Sequence, residues 1–317
     1  MANSIPLSLE EKTPIIDVHV HPIRWLVSEE NLLNEMRLAG VDKAVLLALD
    51  LDPDVITRDE GLKYEILNDI LGHSFFIDAF KILKTMEQIL RLGSTPNTLV
   101  SGLVKRNPKK FLGFGSVNPS KDRNNVSEKL EEIEKLGLRG IKLIPTLQFF
   151  NPKKNKNLKS IFKYARERGW PILIHAGSDP GPFEIPTLRC VQDSHPENWR
   201  KAVRKTKNIV IFAHMGCYGR FEDRSWFFEA VDLAQKNSNI FLDTSAVSYH
   251  LEDKEITTHI RETCGFDQIL FGTDTPVVHG TSMKHSLDVI RNSPHLSSDE
   301  KGLILGKNAQ KLFHLNF

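Results

Sequence analysis

Short apolar runs recur along this chain, each closing on a polar or charged residue and separated from the next by a stretch with helical spacing. In the first run, Ile15 to Pro22, the two-residue period of a strand puts Asp17, His19 and His21 on one face and Val18 and Val20 on the other. A helix is predicted from Ser28 to Ala39: Leu32, Leu33 and Met36 share a face, Ser28 can cap it, Glu29 and Glu30 fill its first turn, and Gly40 ends it. Val41–Leu49 reads as a second strand, finishing at Asp50 and Asp52. Strand, helix and strand with no hairpin turn between them predict a parallel sheet.

From Pro53 to Pro108 this rhythm breaks, with helices predicted around Leu62–Leu71, Ile77–Leu92 and Asn97–Arg106 before the next strand. Such an insertion after strand two would stand on the active-site face of a barrel, as a lid, a partner surface or a packing decoration. The rhythm then resumes, with strands at Phe111–Val117, Leu138–Ile144, Pro171–His175, Ile209–Ala213, Ile240–Asp243 and Gln268–Gly272. Helices are predicted near Val126–Leu136, Leu158–Arg168, Pro196–Thr206, Arg224–Gln235 and Lys254–Cys264, and closing helices at Met283–Arg291 and Ser298–Leu312. Eight strands alternating with helices predict an α/β fold, a (β/α)8 TIM barrel, as a single domain over residues 1–317 with a helical insertion at about 53–108. An open doubly wound sheet competes, but no Gly-x-Gly-x-x-Gly follows strand one to hold a dinucleotide.

Composition narrows the partners. With 42 basic and 40 acidic residues the formal charge is +2, so the global balance argues for neither nucleic acid nor an anionic membrane. The run Lys153-Lys154-Asn155-Lys156 reads as a solvated loop and helix start. Cys190, Cys217 and Cys264 are odd in number and scattered, which argues against a disulfide framework and for a reducing compartment. Met1 to Pro14 is polar and lacks a signal-peptide core, and no run approaches the ~18–20 apolar residues that span a bilayer. A soluble cytoplasmic protein acting on a small molecule is expected; a homo-oligomer stays open.

The chemistry sits at strand ends. Lys142 lies in strand four, His175 ends strand five, His214 follows strand six, and Asp274 follows strand eight in Phe271-Gly272-Thr273-Asp274-Thr275-Pro276. Charged and imidazole groups on one rim of a barrel read as catalytic, because burying them unpartnered costs several kcal/mol and a shared cation removes that cost. Strand neighbours two residues apart stand roughly 6.5–7 Å from each other, close enough for His19 and His21 to converge on one ion. His19, His21, His175 and Asp274 offer three nitrogens and a carboxylate, a set suited to Zn²⁺, with Mn²⁺, Fe²⁺ and Co²⁺ as competitors. His214 or Asp274 could then serve as general base or proton shuttle.

These motifs, together with Phe114-Gly115-Ser116-Val117-Asn118-Pro119, Gly137-Leu138-Arg139-Gly140-Ile141-Lys142-Leu143 and Gly306-Lys307-Asn308-Ala309-Gln310-Lys311-Leu312-Phe313, resemble the amidohydrolase superfamily of metal-dependent TIM barrels. The likeness is to the amidohydrolase-related branch that includes aminocarboxymuconate semialdehyde decarboxylase, resorcylate decarboxylases and small-molecule lactonases. It runs from about Ile15 to Phe313, and Asp50–Lys110 is its least typical part. The resemblance implies His19, His21, His175 and Asp274 as metal ligands and His214 as the catalytic histidine. Two-metal members carry a carboxylated lysine at the end of strand four, which Lys142 matches, with His175 and His214 then holding the second ion; one ion is preferred here to two.

Other residues have two readings each. Lys142 could instead pair with an acid such as Asp243 or anchor substrate, and Asp17 could orient an imidazole or simply be solvated at a strand start. Arg24 could bind a substrate carboxylate or make a surface salt bridge. His250 and His279, after strands seven and eight, are candidate substrate-binding residues, and Trp25, Phe149 and Tyr218 could line the pocket. Cys217, without an evident base partner, reads as inert. The expected activity is hydrolysis of a small ester, lactone or amide by metal-activated water. Nonoxidative decarboxylation of a small carboxylic acid is the alternative, and a non-catalytic binding barrel is the alternative of another class.

Overall fold

The computed structural model describes residues 13–315 apart from 75, 220–223 and 279. Eight strands, β1 Ile16–Val20, β2 Lys43–Leu47, β3 Phe111–Ser116, β4 Ile141–Leu143, β5 Ile172–Ile174, β6 Val210–Phe212, β7 Ile240–Asp243 and β8 Ile269–Leu270, pair in parallel and in chain order. Hydrogen bonds of 2.9 Å from Val18 N to Phe271 O, from Asp274 N to His19 O and from His21 N to Thr275 O then bring β1 against the chain leaving β8. The sheet is thus a (β/α)8 barrel, as the alternation of apolar runs and helical stretches predicts.

Alternate residues of β5 to β7 divide between two layers. Ile172, Ile174, Val210, Phe212, Ile240 and Leu242 share a core with Phe162, Val203, Ala230 and Ile260 of the flanking helices, whereas Leu173 and Ile211 belong to a separate cluster. Leu173 and His175 share a face by period two, and Lys142 pairs with Leu173 in register, so these polar side chains point into the barrel.

The helices of the first half are α1 Glu29–Ala39, α2 Val55–Arg58, α3 Glu60–His73, α4 Ala79–Gly93 and α5 Asn97–Arg106. α1 forms as its sequence predicts: Ser28 Oγ accepts from Asn31 N at 3.1 Å, and Gly40 closes the helix at φ +76°, where a side chain would be strained. In the insertion, Ile66 and Ile70 of α3 and Leu83, Met86 and Leu90 of α4 pack with Leu49 and Leu51 after β2, Ile144 and Leu147 after β4, and Phe183 and Leu188 after β5. Burying each such side chain is worth about 1.5–3 kcal/mol, enough to hold the helices across this rim of the barrel. Polar ties add direction: Arg189 N donates to Asp69 Oδ2 at 2.8 Å, and the Arg189 guanidinium meets Glu65 at 2.7 Å.

The closing segment differs from the single helix predicted over Ser298–Leu312. Its α-helical ends, Ser298–Gly302 and Asn308–Leu312, flank a π-helical turn at Leu303–Lys307. Phe271 N, just past β8, donates a hydrogen bond to Ile304 O at 2.9 Å, and a Cβ on Gly306 would stand 1.6 Å from Pro14 O. The helix therefore gives up part of its own ladder to dock against β1 and β8. Among the described residues no helix is long and apolar enough to cross a membrane.

Candidate metal centre

The site is built where the chain leaves the strands, and it is built tightly. His214 (φ 57°), Met215 (φ 49°) and Asp274 (φ 66°) occupy the left-handed region, a cost that non-glycine residues bear where the surroundings dictate it. For Asp274 the dictating bond runs from its backbone N–H to His19 O, and for His214 it runs from its backbone N–H to Asp243 Oδ1 at 3.0 Å. At Gly272 a Cβ would sit 3.0 Å from the Cβ of His19 and 3.2 Å from that of Ser245, so only a glycine lets β8 come this close without displacing them.

His19 Nε2 stands 3.1 Å from His21 Nε2, 3.1 Å from Lys142 Nζ and 3.3 Å from Asp274 Oδ1. His21 Nε2 is 3.4 Å from the same carboxylate oxygen. The donor atoms of His19, His21 and Asp274 all lie within 4.8 Å of one another. His175 belongs to no such group among the described residues; its Nδ1 instead faces His214 Nε2 at 3.1 Å. His19, His214 and Asp243 also cluster, but Asp243 is already a hydrogen-bond acceptor for the other two.

The neighbours fix the tautomers. Carboxylate and carbonyl oxygens only accept, so the ring nitrogen facing one carries the hydrogen. Nδ1 of His19 faces Asp243 Oδ2 at 2.9 Å, Nδ1 of His214 faces Ser245 O at 3.0 Å, and Nε2 of His175 faces Ser178 O at 2.8 Å. Ser245 Oγ donates to Asp243 Oδ1 and lies 2.9 Å from both Nδ1 atoms, ready to accept from each. Nε2 of His214 and Nδ1 of His175 are left as bare lone pairs, and the lone pair of His19 Nε2 meets the Lys142 amine. His21 Nδ1 is buried without a hydrogen bond of ordinary geometry.

Burial holds every one of these imidazoles below its usual pKa, and each is disfavoured further by cationic neighbours. Burial also holds the Asp274 carboxyl well above the carboxylate range, against the opposing pull of Lys142. Lone pairs meeting at 3.1 Å with protonation disfavoured are the arrangement a cation relieves. The donor set therefore fits a divalent metal ion.

Lys142 is fully buried, and desolvation lowers its pKa to about 8. It lies 3.1 Å from His19 Nε2, and among the described residues no carboxylate forms a close ion pair with it. Asp17, on the same face as His19 by spacing, does not orient a ring: it accepts from His19 N, Thr273 N and, at 2.6 Å, Thr273 Oγ1, tying β1 to β8.

Candidates farther out separate from the cluster. Arg24 is exposed and lines a groove of about 360 Å³ with Leu32, Leu99 and the Glu29–Arg106 pair. His250 is buried beside Cys217, with Nε2 3.7 Å from Sγ, so the thiol does have an imidazole neighbour. Burial drives that pair apart in acidity, the thiol to about 12 and the imidazole to about 4, which keeps both neutral and the sulfur unreactive. His279 lies outside the described residues. The Tyr218 ring lies tilted 5.0 Å from that of His214, Phe149 packs 6.1 Å from Phe183, and Trp25 is exposed, donating to Leu92 O.

Sequence reasoning missed Asp243 as a central residue, though β7 ends on an acid just as other strands end on site residues. It also missed Ser245, Thr146 and Asp179, which no periodicity singles out.

The amidohydrolase family's sequence profile matches residues 16–315. The chain belongs to the amidohydrolase family. No curated protein matches it. Solved structures with similar folds include an uncharacterised TIM-barrel protein from Bordetella bronchiseptica, with 18% identity, a TM-score of 0.67 and coverage of 95% of this chain and 98% of that one. A dihydroxybenzoic acid decarboxylase from a Polaromonas species, solved with manganese and 2-nitroresorcinol, has 15% identity, a TM-score of 0.61 and coverage of 96% and 98%. A probable 2-pyrone-4,6-dicarboxylic acid hydrolase from Acinetobacter baumannii, with citric acid bound, has 12% identity, a TM-score of 0.60 and coverage of 95% and 99%. At such identities these likenesses speak to the fold. Amidohydrolases are metal-dependent enzymes, in keeping with the His, His and Asp donors gathered here.

Proposed function

We propose that this amidohydrolase is a metal-dependent hydrolase that adds water to a small-molecule ester, lactone or amide, with His19, His21, His175 and Asp274 as ligands of one Zn²⁺. The observation that carries the reading is the meeting of His19 Nε2, His21 Nε2 and Asp274 Oδ1 within 3.1–3.4 Å, nitrogen and oxygen donors of the kind zinc takes. A divalent cation held there supplies Lewis acidity to a carbonyl oxygen and acidifies the water beside it.

The chain's own residues manage the proton. Asp274, fixed by its backbone bond to His19, is one acceptor for the proton of the attacking water. His214 is the other, because Ser245 occupies its Nδ1 and leaves Nε2 bare. Whichever takes the proton returns it to the leaving oxygen or nitrogen. The Tyr218 ring shields His214 on one side from bulk water.

One observation favours a second reading, nonoxidative decarboxylation. Among the described residues Lys142 makes no close ion pair, only longer-range attractions to Asp274, Asp243 and Asp179, so a substrate carboxylate could supply one. Reaction in isotopically labelled water separates the two: the hydrolase incorporates solvent oxygen into product, while release of CO2 without incorporation contradicts it. His214→Ala and Asp274→Ala are each expected to lower kcat by about 10²–10⁴-fold. Unchanged turnover in both would contradict either enzymatic reading.

A further inference from the structure

His19 and His175 both need a partner that holds the protonated ring nitrogen outward. For His19 that partner is Asp243. For His175 the Ser178 carbonyl is one, at 2.8 Å, and a second group stands beside it: Asp179 Oδ2 is 3.3 Å from the same Nε2. The Asp179 side chain is only 13% exposed, and its carboxylate is fixed from the far side by the hydroxyl of Thr146, a fully buried residue in the turn after β4. Its backbone N–H is anchored to Phe183 O at 3.3 Å. Asp179 is thus a carboxylate brought in by the loop after β5, clamped by the loop after β4, and set against the outward nitrogen of a residue whose inward nitrogen is bare.

We infer that Asp179 is the positioning residue of His175: beside the Ser178 carbonyl that takes the Nε2–H, its Thr146-clamped carboxylate attracts the same edge of the ring and keeps Nδ1 turned towards the metal ion. The inference rests on the metal reading above and adds to it a residue that neither strand spacing nor strand ends reveal. A carboxylate behind a ligating imidazole makes the inner nitrogen a stronger donor, and loss of such a partner typically weakens metal binding 10–100-fold. If Asp179 only tied two loops together, its loss would change stability and leave the ion's affinity and surroundings alone.

The test is titration of metal-free protein with Co²⁺ against a competing chelator, read by binding constant and by the visible absorption of the bound ion, for wild type, Asp179→Asn, Asp179→Ala, Thr146→Val and His175→Ala. Asp179→Ala is expected to weaken Co²⁺ binding about 10–100-fold and to shift the absorption bands. The isosteric Asp179→Asn, which keeps the shape if the alanine variant folds poorly, should fall between it and wild type, and Thr146→Val should have the smallest effect. Co²⁺ binding by Asp179→Asn and Asp179→Ala within about twofold of wild type, alongside a clear loss in His175→Ala, would overturn the inference alone. A wild-type protein that binds no Co²⁺ would overturn the metal reading as well.

Discussion

The two flanks of the site hold their imidazoles with unequal firmness. Where β7 and β8 meet β1, Asp243 accepts from His19 Nδ1, His214 N, Ser245 N and Ser245 Oγ, while Asp17 bonds the backbone of both His19 and Thr273. Where β4 and β5 adjoin, His175 has a carbonyl and a longer contact to a carboxylate that is itself held by one hydroxyl. The first flank is over-determined and should resist change as a unit. The second is held by fewer bonds.

Asp243→Ala attacks the firmer flank and should have the largest effect. It strands several buried donors, each worth about 1–3 kcal/mol, so a loss of about 3 kcal/mol of stability is expected by denaturant unfolding, with loss of bound metal. Little change in either would show that the network is not the frame of the site. Thr273→Val removes the 2.6 Å bond to Asp17 while keeping the shape, and should cost about 1–2 kcal/mol with metal content retained. The Asp179 variants act on the looser flank and should show the opposite pattern, with metal affinity falling and stability nearly intact.

The smallest effect belongs to a pair on neither flank. Arg261 meets Glu300 at 2.7 Å and holds its carboxyl down at about 2, mainly through that hydrogen bond. A depressed carboxyl stabilises the fold above the ordinary glutamate pKa, and the contribution is lost as pH falls towards 2. Glu300→Gln should therefore lower the melting temperature slightly at neutral pH, less so in acid, and leave metal binding unchanged. A change in metal content would mean that the two flanks are not the whole of the support.

The firmness of the first flank also explains what the sequence could and could not reveal. Parallel strands announce themselves as apolar runs, so the barrel, the insertion and the Ser28 cap were legible, and His19, His21, His175, His214 and Asp274 stood out as polar ends to those runs. The partner of His19 was not legible, because it comes from a distant strand: Asp243 is 224 positions away, whereas Ser178 and Asp179 lie close to His175 in sequence but in a loop with no period to mark them. Period two put Val18 and Val20 on one face, but β1 shifts register between Asp17 and Val20, so Val18 joins the cluster of Leu173 and Ile211 and Val20 the outer core. Asp17 accepts from His19 N, Thr273 N and Thr273 Oγ1 and not from a ring. The π turn at Leu303–Lys307 was hidden for a similar reason, being drawn out by a bond from Phe271 on another element.

The central claim is that His19, His21 and Asp274 meet to hold a cation. Elemental analysis of protein purified without added metal, compared with His19→Ala and His21→Ala, tests it directly. About one divalent ion per chain in the wild type and almost none in either variant is the expected result, and about two would point to a carboxylated Lys142. A wild-type protein free of metal, or variants that keep their ion, would contradict the account.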